Sequence, residues 1–172
     1  MKPTSVSYLS EAACVGAEPR SDVAVISITE RGRTAPLSDE WGLVCRVQFA
    51  DAEWDDAMVQ RLHARGIHFD PQKKGFPDSV VAQQLRDMIS GIERHPGITK
   101  ILVHCHAWRR RSAAVARYIA QRFNLPFDFD YDGYNRTVLR LLSEDAPRRV
   151  AHDRAHPRVF TRLLTRIFGG RR

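Results

Sequence analysis

The sequence predicts an α/β domain with a central, mainly parallel sheet flanked by helices, and three observations predict it. Strand-like and helix-like stretches alternate along residues 1–147, the pattern of βαβ units joined by right-handed crossovers. The run Ile101-Leu102-Val103 is short, apolar and partly β-branched, as expected of a strand covered on both faces. A chain of 172 residues, 43% hydrophobic and 27% charged, is enough for one domain with a real core and is too large to need disulfide staples.

Taken in order, residues 6–9 and 22–28 read as strands, the second (DVAVISI) mostly apolar and β-branched. Residues 43–49 alternate, with Leu43, Cys45, Val47 and Phe49 on the inward face and Val44, Arg46 and Gln48 opposite. Residues 53–64 read as a helix closed by Gly66, followed by an irregular surface loop over 66–75. Pro77-Asp78-Ser79 is a helix start. Val81, Leu85, Met88, Ile89 and Ile92 then recur at steps of three and four until His95-Pro96-Gly97 ends the helix. Residues 100–104 form the buried strand, a helix starts at Ser112 and runs toward Pro126, and residues 134–142 form another.

No apolar run approaches the ~18–20 residues needed to span a bilayer, and the first twenty residues lack the apolar core of a secretory signal. The expectation is a cytoplasmic protein whose Cys14, Cys45 and Cys105 are reduced thiols. A net charge of +7 favours anionic partners. Most of it sits in residues 148–172, with eight arginines against Asp153 alone, while residues 1–147 are nearly neutral. There Val159, Phe160, Leu163, Leu164, Ile167 and Phe168 recur at helical spacing. The expectation is a last helix packed on the same domain, with contact to an anionic lipid or nucleic-acid surface as the other reading.

The chemistry concentrates in residues 101–120, ILVHCHAWRRRSAAVARYIA. Open α/β sheets bind ligands at the carboxyl ends of their strands, where this loop falls. The backbone N–H groups of His106, Ala107, Trp108, Arg109, Arg110 and Arg111, with the start of the following helix, can converge on one tetrahedral oxyanion. The planar fork of Arg111 would clamp two of its oxygens. Cys105 then lies in a positive field that favours its thiolate, the form that attacks phosphorus to give a phosphocysteine. Ser112 is placed to donate a hydrogen bond to the sulfur as it leaves. His104 is expected to hold the loop by hydrogen bonds to backbone groups. His104 and His106 flank Cys105, but adjacent residues on a strand point to opposite faces, so the two cannot jointly face one ion with Cys105 and no metal site is expected.

This loop resembles that of the cysteine-dependent protein tyrosine/dual-specificity phosphatases, whose signature is His-Cys, five residues, Arg and Ser or Thr. It is most similar to small bacterial and phage-type members, in which a typical loop reads HCxAGxSRSxAVA. A weaker likeness runs over about residues 6–142: the early DVAVISI strand, a strand ending Phe49-Ala50-Asp51, the helix over 79–92 and the Asn135-Arg136-Thr137-Val138 helix start. The resemblance implies a three-layer domain over 1–147, no cofactor, and hydrolysis of a phosphate monoester, with phosphotyrosine on protein as the leading substrate. It also implies a general acid on a neighbouring loop. Asp51 matches the family's Phe-x-Asp, and Asp55 and Asp56 are the other candidates. Two positions depart from the pattern: Trp108 replaces the usual Gly and Arg110 the usual Ser. Trp108 is expected to reshape the cup, which bears on turnover more than on phosphate binding, and it leaves a phosphate-binding module without catalysis as an alternative. Arg109, Arg110 and the basic tail leave an RNA 5′-phosphate or triphosphate hydrolase as another.

Overall fold

The computed structural model describes residues 2–107 and 110–144. The expectations for Trp108, Arg109 and the basic segment 148–172 lie outside the described residues. The described residues form four strands, β1 (Ser5–Ser10), β2 (Val23–Thr29), β3 (Leu43–Gln48) and β4 (Lys100–Cys105), and the helices α1 (Glu11–Val15), α2 (Asp56–Ala64), α3 (Ser79–Arg94), α4 (Arg111–Phe123) and α5 (Arg136–Glu144), in the order β1-α1-β2-β3-α2-α3-β4-α4-α5. The sheet order is β1-β4-β2-β3 and every pairing is parallel. All four carboxyl ends therefore meet at one edge. Ser10 lies opposite Cys105, Ser27 opposite both His104 and Arg46, and Thr29 opposite Gln48.

Side-chain alternation divides the core between the two faces of the sheet. On one, Ile26, Ile28, Val47, Phe49, Ile101, Val103 and Cys105 pack with Leu85 and Ile89 of α3, Ile119 of α4 and Leu142 of α5. On the other, Val23, Val25 and Leu102 pack with Cys14, Ala35, Leu37 and Trp41. The second face is thus covered by the short α1 and by residues 35–41, while α3, α4 and α5 cover the first. β2 and β4, central in the sheet, are buried almost throughout, as their apolar sequences require.

Local chemistry sets the boundaries. Asp78 caps α3 by accepting from the Val81 amide at 2.8 Å, and Asp55 caps α2 by accepting from Met58 at 2.6 Å. The helix expected from residue 53 therefore starts at Asp56, because Asp55 serves as its cap. Asn124 ends α4 in the left-handed region, φ 55°, ahead of Pro126. At Gly42 the chain passes so close to the Ser21 carbonyl that a Cβ would lie 2.1 Å from its oxygen. Residues 66–75 make turns, as expected, yet Phe69 is buried there against Trp54 and Phe76.

Candidate active site

Cys105 closes β4, and α4 begins six residues later at Arg111, with Ser112 inside its first turn. That spacing folds the helix back over the strand end. The Cys105 sulfur lies 3.2 Å from the Ser112 hydroxyl, both groups buried. Arg110 occupies the cap position of α4 without a side-chain hydrogen bond to the helix. The first-turn N–H groups of this helix thus have no side-chain cap, an arrangement that favours an anion.

Arg111 is 3% exposed and tied at two nitrogens. Nη1 donates to the Phe49 carbonyl at 2.6 Å, and Nη2 donates to Glu30 Oε1 at 2.7 Å. Its Nε is buried with no hydrogen-bond partner among the described residues. Leaving a buried charged donor unpaired costs more than the ~1–3 kcal/mol typical of a neutral one, so this N–H calls for an acceptor such as an oxyanion. The ring of Phe49 adds a cation–π contact at 6.0 Å. Glu30, which follows β2, did not emerge from the sequence. Nothing local marks it, since its partner lies 81 residues away.

Asp51 stands at the same edge. Its Oδ1 accepts from Asn135 Nδ2 at 2.8 Å and lies 3.5 Å from Arg110 Nε. Arg110 also pairs with Glu53 at 2.7 Å, so its side chain faces the acid loop. Asn135, fully buried, joins the parts: its backbone N–H donates to the Arg110 carbonyl at 3.0 Å, its amide reaches Asp51 and Ala52, and its Oδ1 accepts from Val138 at the start of α5. Its place ahead of Arg136-Thr137-Val138 was the one sequence signal. Asp55 and Asp56 lie in the cap and first turn of α2, and Asp51 is the carboxylate of the three that bonds to the cup.

His106 and Ala107 are exposed, and His106 Nδ1 accepts from Arg33 Nη1 at 2.9 Å, while Arg33 Nη2 donates to Glu11 at 2.6 Å. The role expected for His104 needs correction. The side chain is fully buried on the face opposite Cys105, and neither ring nitrogen has a hydrogen-bond partner among the described residues. Among the described residues no hydrogen bond from its ring tethers the loop. Burial, aided by the positive Arg46 nearby, pushes its pKa down to about 4. Burial pushes the Cys14 thiol up to about 11, with Glu11 adding to the effect, and raises that of Cys45.

Among the described residues there is no group of three or more His, Cys, Asp or Glu side chains that could hold a metal ion, and no helix is long and apolar enough to cross a membrane. No family model matches the chain, and neither a curated protein nor a solved structure is similar enough to count as a match.

Proposed function

We propose that the protein hydrolyses phosphate monoesters through a phosphocysteine, with phosphotyrosine on protein as the leading substrate. The observation that carries this reading is the Arg111 guanidinium, buried and fixed at both terminal nitrogens with Nε left over, one residue ahead of the serine whose hydroxyl meets the Cys105 sulfur at 3.2 Å. The Cys105 thiolate attacks phosphorus, and the bond to the leaving oxygen breaks while Asp51 gives that oxygen a proton. Water then attacks the phosphocysteine, Asp51 takes its proton, the P–S bond breaks, and the Ser112 hydroxyl stabilises the departing thiolate. Arg111 and the open start of α4 bind the equatorial oxygens throughout.

The test is phosphate release from tyrosine phosphopeptides, a phosphoinositide and triphosphate RNA, with Cys105→Ser as the blank. Wild type should release phosphate from a phosphopeptide and the serine variant should not. Asp51→Asn should slow peptide and alkyl phosphates by ~10²-fold or more and an activated aryl phosphate less, because only poor leaving groups need the proton. Equal rates for wild type and Cys105→Ser would end the reading, and release from the RNA alone would move the substrate class.

A further inference from the structure

Beside the cup lies a cavity of about 380 Å³ whose walls include Arg31, Arg33, Arg46, Ser27, Thr29 and Gln48. Register places it at the carboxyl edge of the sheet, where Ser27 lies opposite Arg46 and Thr29 opposite Gln48. It adjoins the cup in two places. Thr29 is followed by Glu30, the carboxylate that holds Arg111, and Arg33 donates to His106 of the loop. None of the described residues lining the cavity is acidic.

The charges there are incompletely compensated. Arg33 is paired with Glu11 at 2.6 Å. Arg31 and Arg46 each donate to a backbone carbonyl, of Gln72 and Ala35, at 2.9 Å, and neither forms an ion pair among the described residues. Two guanidiniums without counter-charge thus border a small polar cavity of a volume usual for ligand sites, next to a cup built for one phosphoryl group. Guanidiniums match phosphate geometry well and bind it by charge-assisted hydrogen bonds.

We propose that this cavity is a second anion subsite, which takes a second phosphoryl group carried on the same molecule as the ester in the cup. It rests on the phosphocysteine reading for the fate of the first phosphate, and it narrows the substrate to doubly phosphorylated molecules. The carrier is either a small bisphosphate or a peptide with a second phosphorylated side chain near its phosphotyrosine.

The test uses calorimetric titration of the full chain carrying Cys105→Ser, with two probe pairs. One is resorcinol bisphosphate against resorcinol monophosphate, and the other is a tyrosine phosphopeptide with and without a neighbouring phosphoserine. The second phosphate should tighten binding about tenfold or more in at least one pair, and the pair that responds identifies the carrier. Arg31→Gln and Arg46→Gln should bring that ratio toward one. Thr34 also lines the cavity, and Thr34→Glu, which adds a carboxylate there and removes no arginine, should do the same and decides the matter if an arginine variant does not fold. Ratios within twofold for both pairs, or a ratio untouched by all three changes, would overturn the subsite. Wild-type hydrolysis is measured separately: failure to release phosphate from any probe would refute the phosphocysteine reading while the titrations still judge the cavity.

Discussion

At the scale of single residues, the three thiols are set apart by their surroundings. Cys14 and Cys45 are held protonated by burial, and Glu11 reinforces this at Cys14, whereas Cys105 faces the Ser112 hydroxyl where β4 ends and α4 begins. Iodoacetamide at neutral pH should therefore label Cys105 first, and inorganic phosphate should slow that labelling. Peptide mapping that found the three cysteines equally modified would contradict the assignment. His104 makes a second prediction at this scale. With its folded-state pKa near 4 against ~6.5 in the unfolded chain, the unfolded state binds the proton more readily. Its contribution is complete above about pH 6.5 and is lost as pH falls toward 4, about 2 kcal/mol of it by pH 5. His104→Leu removes no side-chain hydrogen bond among the described residues and should flatten urea-measured stability between pH 7 and 5 relative to wild type. An unchanged slope would mean that His104 is not the titrating group. The Cys105, Arg111 and Ser112 grouping was legible because it is local in sequence. Glu30, Arg33 and Asn135 were not placed in the site because what makes them part of it is tertiary contact.

At the scale of elements, α5 holds the acid loop as well as packing on the core. The Thr137 hydroxyl accepts from the Trp54 amide and donates to the Trp54 carbonyl, both at 2.8 Å. Trp54 Nε1 donates to the Pro77 carbonyl at 2.8 Å, and Arg140 lies over its ring at 4.9 Å. Asp51 is thereby pinned at two points, by Asn135 directly and by Trp54 three residues on. Thr137→Val leaves the Trp54 amide without its acceptor and the Trp54 carbonyl with only the 3.5 Å contact from Arg140 Nη2, and should cost about 1–3 kcal/mol in stability. It should also lower kcat for a peptide phosphate more than for an activated aryl phosphate, since the loop it loosens carries Asp51, the proposed proton donor. Equal loss on both substrates would reduce Thr137 to a packing role. Helices with caps and periodic apolar faces, such as α3, were readable from sequence. The five-residue α1 was not, being too short to show a period, and its Ser10 cap accepting from Ala13 at 3.1 Å is visible only in the structure.

For the molecule as a whole, the α/β class followed from alternation, but the strand order did not. Placing β4 between β1 and β2 depends on pairings such as Ser10 with Cys105, far apart in sequence and set by packing over the full chain. The order matters because it sets Glu30 after β2 and Phe49 after β3, where both meet the Arg111 guanidinium that follows β4. A parallel sheet gathers Cys105, Arg111 and Asp51, the proposed nucleophile, clamp and acid, at one edge from loops otherwise distant. The most direct test of that account is an acid-quenched single turnover with an aryl phosphate, followed by mass analysis of the cysteine peptides. The account predicts one phosphoryl group transiently on Cys105 in the wild-type protein and none when Arg111 is replaced by alanine or Cys105 by serine. Substrate turnover with no phosphoryl group on Cys105, or with the group on another residue, would contradict it.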